Sequence, residues 1–216
     1  MKQIICAALV LLLLAVIGKG PAVAEGERMS DTYWHFGFGR RQIIFDEDKI
    51  GSLYIAGYKN GLRISGVLDY CEARAVWMDA GGDGILLIGI DCVALDSGTI
   101  EEIRNELTDI PGCMCVNVYS THTHAGPDTL GLWGRIGFNG KNVAYMNALK
   151  TAAAEAPREA AASPKSAKMY YGKVRTQDMY RDSRMPIVYD ENLYQIRLQA
   201  CDGGAGLRLL FYGAHA

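Results

Sequence analysis

The chain has little histidine, little proline and almost no excess charge. Its 216 residues include four histidines and six prolines, and its formal net charge is −2. A near-neutral chain without a basic run gives no reason to expect nucleic acid as a partner. It also lacks a Cys-x-x-Cys motif, which argues against cysteine-based zinc and redox sites. Apolar material is plentiful, since half of the residues are hydrophobic, and this is enough for a sizeable core.

The first 24 residues have the composition of an export signal. Lys2 gives a positive start, Ile4–Ile17 is an uninterrupted apolar segment, and Ala22-Val23-Ala24 forms a small-x-small cleavage pattern. The apolar segment is short for a membrane span, so an uncleaved anchor is the lesser alternative. We therefore predict a signal peptide over residues 1–24, cleaved after Ala24, and a secreted or cell-surface protein over residues 25–216.

Export would permit disulfides, but five cysteines remain after such cleavage. The odd number leaves at least one unpaired, and we expect most of them to be small buried hydrophobes.

Two histidines follow an apolar strand in the middle of the chain. Cys113–Tyr119 is predicted to be extended, which would place alternate residues from Met114 to His122 and His124 on one face. Gly126-Pro127 then turns the chain away, because proline cannot continue a ladder of backbone hydrogen bonds. Paired imidazoles at the end of a strand are a common start of a zinc site, so this pair predicts a metal. The alternative is that one histidine caps the strand and the other is merely polar.

The last strand of the sequence also leads to a histidine. Leu207–Tyr212 is apolar, and His215 follows it on the face shared by Leu209 and Phe211. Ligand sites of open α/β sheets gather at the carboxyl ends of strands, so His215 is a second candidate ligand. His35 lacks such a context and is interpreted as structural.

The order of the remaining elements predicts an α/β fold. A strand over 85–90, a helix opened by a capping box at Thr99-Ile100-Glu101-Glu102, and the histidine-bearing strand would form a βαβ unit. Asn142 is predicted to cap a long helix to about Ala162, and Asp202-Gly203-Gly204 to turn a hairpin. Further strands are predicted over 52–58, 67–78, 168–176, 193–200 and 207–212. The fold expected is therefore a mixed, partly parallel sheet with flanking helices.

A long loop follows the histidine pair. The segment Ala125–Lys141 is rich in glycine and carries Leu130, Leu132, Trp133 and Phe138. Loops of this length beside a candidate site are commonly functional. Its apolar residues could contact a greasy substrate or could equally pin the loop to the core.

Several short motifs occur in an order that resembles one family. They are Gly57-Tyr58, Glu72-Ala73-Arg74-Ala75, Ile88–Leu95, Thr121-His122-Thr123-His124-Ala125-Gly126-Pro127, Tyr180–Arg184 and Phe211–Ala216. Together they resemble the N-terminal catalytic domain of the neutral/alkaline (non-lysosomal) ceramidases. Two departures are visible: Ala125 stands where the family signature has serine, and the Tyr180–Arg184 segment lacks the family's asparagine.

The resemblance implies a zinc-dependent hydrolase that cleaves the amide bond of a lipid-like N-acyl substrate, with a membrane surface as one place where it would meet that substrate. His122 and His215 would be zinc ligands, and His124 would stand beside the metal to contact the substrate. Arg181 or Arg184 would hold the developing oxyanion. For these arginines, a solvated loop with salt bridges is an equal alternative.

Two further expectations concern the surroundings of the metal. Asp91 could orient a ligand imidazole through its other nitrogen, or could instead cap nearby backbone amides. The family's remaining ligands, a glutamate and a tyrosine, come from beyond residue 216. We therefore expect residues 25–216 to be the front part of a longer protein, with an incomplete site.

Two other functions stay open. One is a metal-dependent amidohydrolase or phosphoesterase barrel, in which His-x-His also ends an early strand. The other is a secreted, non-catalytic binding protein that keeps a relic of the site.

Overall fold

Seven strands and two α-helices make up the regular structure of residues 28–176, 181–182, 185–188 and 190–214, which the computed structural model describes. The strands are β1 (Arg28–Gln42), β2 (Glu72–Asp79), β3 (Gly84–Ile90), β4 (Cys113–Ser120), β5 (Lys165–Arg175), β6 (Asn192–Ala200) and β7 (Leu207–Tyr212). The helices are α1 (Ser97–Asn105) and α2 (Val143–Ala162), and a 3-10 helix covers Glu47–Ser52. The predicted signal peptide over residues 1–24 lies outside the described residues.

The strands hydrogen-bond in the order β4-β3-β2-β1-β5-β6-β7. β3 and β4 are parallel, whereas β2–β3, β1–β5, β5–β6 and β6–β7 are antiparallel. The predicted mixed, partly parallel sheet with flanking helices is therefore confirmed. The chain divides into two compact units, Met1–Phe36 with Lys165–Ala216, and Gly37–Pro164.

In the unit Gly37–Pro164, helix α2 packs on the central strands through small residues. Ala153, Ala156 and Ala160 are completely buried, and they share one core with Leu86 and Ile88 of β3. Asn142 caps α2 as predicted, since its side chain accepts a hydrogen bond from the Tyr145 backbone N–H at 3.1 Å.

The predicted βαβ unit is present as β3, α1 and β4, but its helix begins earlier than the capping box indicated. Asp96, not Thr99, is the N-cap, because its carboxylate accepts from the Thr99 N–H at 3.0 Å. Thr99 is instead a buried residue inside the first turn.

The other unit is an antiparallel array. β5, β6 and β7 form a meander, and the Arg28–Phe36 part of β1 pairs with β5. The predicted hairpin turn is confirmed: Asp202 accepts a hydrogen bond from the Gly204 N–H at 2.8 Å.

One strand prediction was wrong, and another began too early in the sequence. Ser52–Tyr58 is not a strand, because only the isolated bridges Tyr54–Arg63 and Ile55–Pro127 form there. The strand predicted over 67–78 begins at Glu72. Met114, near the start of β4, is 70 % exposed, and β4 is the outermost strand in the hydrogen-bonded order.

No helix in the described part of the chain is long and apolar enough to cross a membrane.

Candidate functional site

The histidine motif begins where two parallel strands end side by side. Ser120, the last residue of β4, is paired with Ile90, the last residue of β3. The Thr121 N–H still donates to the Ile90 carbonyl at 3.0 Å. Because the strands are parallel, the loop after β3 and the loop after β4 leave the sheet at the same edge.

His122 lies outside the strand, in a left-handed backbone conformation with φ of 59°. This conformation is uncommon for a residue with a side chain, and such residues are concentrated at functional sites. The expectation that strand alternation carries His122 and His124 to one face was therefore wrong. The loop, not the strand, places their rings.

The ring of His122 is held by a backbone carbonyl of the neighbouring loop. Its Nδ1 lies 2.6 Å from the carbonyl oxygen of Val93. A carbonyl can only accept, so we assign the proton of the neutral ring to Nδ1. The lone pair then lies on Nε2, which is the arrangement that metal-ligating histidines commonly show.

The two imidazoles face each other through their Nε2 atoms. These atoms are 3.5 Å apart, and the ring planes cross at 72°. Two nitrogens bound to one tetrahedral zinc at about 2.0–2.1 Å would lie roughly 3.3–3.4 Å from each other. The observed spacing of the His122 and His124 nitrogens therefore fits a shared cation, and it also fits one imidazole donating to the other.

His124 is seated against the Gly57-Tyr58 segment. The Tyr58 ring meets the His124 ring edge-on, with centroids 5.8 Å apart. A Cβ at Gly57 would lie less than 3.0 Å from the His124 Cγ, Nδ1 and Cε1 atoms. The glycine thus leaves the space that the imidazole fills.

The loop after β3 contacts the motif loop at successive residues. The Cys92 thiol donates to the Ser120 hydroxyl at 3.3 Å, and Val93 holds His122. The Ala94 carbonyl accepts from the Thr129 hydroxyl at 2.5 Å. These contacts fix the two loops to each other.

A group of charged residues surrounds the buried Glu72, where β2 begins and β3 ends. Glu72 is 5 % exposed and is paired with Arg40 at 2.5 Å and Arg74 at 2.7 Å. Asp91 accepts from the Glu72 N–H at 3.0 Å and pairs with Arg74 at 3.2 Å. Of the two roles expected for Asp91, capping a backbone amide is therefore the one seen, and Val93 supplies the contact to the His122 Nδ1.

Asp128 organises the long loop that follows the motif. Its carboxylate is buried and accepts from three backbone N–H groups, those of Leu130 at 2.9 Å, Gly131 at 2.7 Å and Trp133 at 2.8 Å. Such bonds to a carboxylate compensate for its burial. The loop is consequently built around a fixed polar centre.

The apolar residues of this loop divide between its base and its tip. Leu130 and Trp133 are half-buried, whereas Leu132, Ile136 and Phe138 are 62 %, 94 % and 74 % exposed. Of the two roles expected for the apolar residues of this loop, pinning the loop to the core does not apply to the exposed Leu132 and Phe138.

The structure brings together only some of the predicted site residues. His122 and His124 come together, whereas His215 and Arg184 lie outside the described residues. Arg181 is exposed in the other compact unit, and its role stays a prediction.

The sequence analysis did not identify two groups that shape the site, the Val93 carbonyl and the carboxylate of Asp128. The described residues contain no cluster of three or more His, Cys, Asp or Glu side chains suited to a metal.

Solved structures with a similar fold include two ceramidases. A crystal structure of neutral ceramidase from Pseudomonas aeruginosa matches with a TM-score of 0.71 and 16 % identity over 86 % of this chain. A ceramidase complexed with C2 matches with a TM-score of 0.67 and 17 % identity, again over 86 %. The chain has a ceramidase-like fold.

In both comparisons the match covers 32 % of the other chain, so this chain spans about a third of the length of those proteins. No protein-family model and no curated protein matches the chain. At this level of identity the similarity concerns the fold, which agrees with the resemblance found in the order of the motifs.

Proposed function

We propose that the chain is part of a metal-dependent, ceramidase-like hydrolase that cleaves the amide bond of an N-acyl lipid. The observation that carries the proposal is the imidazole pair, in which the His122 and His124 Nε2 atoms lie 3.5 Å apart. The ceramidase-like fold supports it independently of the motif.

Among the described residues, His122 has the ring orientation that best suits a metal ligand. Its Nδ1–H is engaged by the Val93 carbonyl, which directs the Nε2 lone pair toward His124. His215 is proposed as a second ligand, from its position after the last predicted strand and from the resemblance. A bound zinc ion would supply a Lewis acid and a water that ionises near neutral pH.

His124 is proposed to contact the substrate. Its ring position is fixed by Gly57 and Tyr58, so its Nε2 is presented beside that of His122. An imidazole N–H in this position can donate to the carbonyl oxygen under attack. Arg181 or Arg184 is proposed to stabilise the same oxyanion.

The surroundings suit an acyl chain. Tyr58 lies against His124 and is 55 % exposed, and the neighbouring Asn60 side chain donates to the Leu132 carbonyl at 2.7 Å. An exposed aromatic ring therefore lies directly beside the imidazole pair, and the segment that carries it adjoins the loop of Leu132; a lipid substrate requires such apolar surroundings.

Zinc titration with His122→Ala tests the metal part of the proposal. The titration competes the chain against a chelator of known affinity, with His35→Ala as the matched control. We expect His122→Ala to weaken zinc binding by at least about tenfold, because even loss of an outer-shell partner costs that much. His35→Ala should bind like the wild type. Equal binding by wild type and His122→Ala would overturn the assignment.

Turnover is measured separately, with a fluorescent N-acyl sphingosine and with a phosphate diester, on this chain and on any longer form of it. Amide cleavage that depends on His122 supports the proposal. Diester cleavage without amidase activity would favour a phosphoesterase, although the antiparallel pairs β2–β3 and β5–β6–β7 do not fit a β/α barrel. Zinc binding without turnover in any form would favour a non-catalytic binding protein.

A further inference from the structure

Two adjoining segments beside the imidazole pair carry a group of exposed apolar residues. It is called here the apolar tip, and its residues are Tyr58, Leu62, Leu132, Ile136 and Phe138. Their exposed fractions are 55 %, 46 %, 62 %, 94 % and 74 %. Isolated exposed apolar residues need no explanation, but a group of them on adjoining segments indicates an interaction surface.

The two segments of the apolar tip are held together by one backbone and one side-chain hydrogen bond. The Gly61 N–H donates to the Trp133 carbonyl at 2.9 Å, and the Asn60 amide donates to the Leu132 carbonyl at 2.7 Å. The Asp128 carboxylate fixes the loop from below through three N–H groups. The outward direction of these side chains is therefore set by the fold of the loop.

The charges on the same segments are all positive. Gly57–Arg63 and Leu130–Gly140 contain Lys59, Arg63 and Arg135, and no aspartate or glutamate. All three side chains are exposed, and Arg63 also stacks on the Tyr54 ring at 3.8 Å. Apolar side chains flanked by cations are the combination that binds an anionic lipid surface.

We propose that the apolar tip docks onto the surface of an anionic phospholipid bilayer. Ile136 and Phe138 enter the boundary between headgroups and acyl chains, and Lys59 and Arg135 face the lipid phosphates. Tyr58 connects this surface to His124, so docking brings the imidazole pair to the lipid. The proposal does not depend on hydrolysis, because docking requires only the tip and its cations.

Fluorescence quenching tests the geometry directly. Phe138→Trp puts an indole at the tip, and Met114→Trp puts one at a matched site that is 70 % exposed at the far end of β4. The full chain is mixed with phosphatidylglycerol vesicles whose acyl chains are brominated. We expect extra quenching, beyond that of the wild type, for Phe138→Trp and none for Met114→Trp. This difference holds even if residues 1–24 also bind the vesicles.

Vesicle sedimentation measures how much the apolar and the cationic side chains each contribute to lipid binding. Ile136→Ser with Phe138→Ser should lower the partition coefficient by at least about tenfold, whereas Met114→Ser should not change it. Lys59→Gln with Arg135→Gln should lower binding severalfold, and only to anionic vesicles.

Equal quenching of Phe138→Trp and Met114→Trp would overturn the proposal. A dimer in sedimentation velocity that Phe138→Ser abolishes, without vesicle quenching, would also overturn it, and would identify a second copy of the chain as the occupant.

Discussion

Gly57 and His124 occupy adjoining space: a Cβ on Gly57 would lie less than 3.0 Å from three atoms of the His124 ring. Gly57 also has a φ of 84°, a conformation that side-chain-bearing residues rarely adopt. Backbone conformation and space therefore both require glycine here. The Gly-Tyr pair that contributed to the family resemblance has a physical role, since glycine admits the imidazole and Tyr58 contacts its edge.

Gly57→Ala should therefore destabilise the protein and displace His124. We expect the free energy of unfolding to fall by about 1–3 kcal/mol, from backbone strain and the clash with the ring. Urea unfolding measures the loss, and NMR of the histidine ring protons reports the displacement. Gly66→Ala is the control, because a Cβ there meets no atom within 4 Å. Unchanged His124 resonances in Gly57→Ala would contradict the prediction.

The parts of the fold with strong local signals could be predicted from sequence. β3 is a continuous apolar run, Asn142 has the side chain of a helix cap, and Asp202-Gly203-Gly204 consists of turn residues. Each of these signals depends only on residues that are close together in the sequence. β1 was harder, because a shift in register between Met29 and Tyr33 breaks the alternation that marks a strand.

The candidate site could be predicted only in part. The residue types His122 and His124 pointed to it, but the orientation of His122 depends on a carbonyl 29 positions away. A backbone carbonyl is present at every residue and leaves no mark in the sequence. The left-handed conformation of His122 likewise has no clear local signal, because histidine is enriched in this conformation relative to most residues but still adopts it rarely.

Asp128→Asn should loosen the long loop. The carboxylate accepts three N–H groups, and an amide has one acceptor oxygen in place of two, with an NH₂ facing a donor. We expect a loss of about 2–4 kcal/mol in unfolding free energy, since buried groups would lose charge-assisted partners. Faster amide hydrogen exchange at Gly131 and Trp133 should accompany it. Asp202→Asn, at an exposed turn, is the control and should change stability little; an equal loss in both variants would count against the role of Asp128.

Two thiols, the buried Cys92 and the half-buried Cys71, should make the protein sensitive to alkaline pH. Burial raises the pKa of Cys71 and of Cys92 from an ordinary value of 9.0 to about 11. Because the unfolded chain releases these protons at lower pH, their contribution to stability is complete below pH 9 and is lost as pH rises to about 11. Urea unfolding at several pH values should show this decline, and it should be smaller in Cys71→Ala with Cys92→Ala. Cys115→Ala, at an exposed position, is the control.

The same two cysteines should also react slowly. At about pH 8 we expect iodoacetamide to modify the exposed Cys115 and Cys201 well before Cys71 and Cys92, because the thiolate is the reactive form. Mass spectrometry of digests measures the order, and the difference should vanish in denaturant. Labelling of Cys71 as fast as that of Cys201 in the folded protein would contradict the assigned burial.

Asp96 joins the start of α1 to the end of the long loop, and two substitutions separate its contacts. Its carboxylate accepts from the Thr99 N–H at 3.0 Å and pairs with Lys141, and the Lys141 hydrogen bond is the main cause that lowers the pKa of Asp96. Asp96→Asn keeps an acceptor for the N-cap and loses the ion pair, whereas Asp96→Ala loses both. We expect Asp96→Ala to be less stable than Asp96→Asn by about 1 kcal/mol at neutral pH, the usual value of an N-cap.

The effect of pH on these variants distinguishes the ion pair from the cap. A lowered pKa in the folded state contributes stability above the unfolded value of 3.8, and this contribution is lost as pH falls below it. The difference in unfolding free energy between wild type and Asp96→Asn should therefore shrink from pH 7 to about pH 3, in urea titrations at fixed ionic strength. The difference in unfolding free energy between Asp96→Asn and Asp96→Ala, which comes from the N-cap, should persist at both pH values, because neither variant titrates at this position. A wild-type advantage over Asp96→Asn that is the same at both pH values would show that the Lys141 pair contributes no stability.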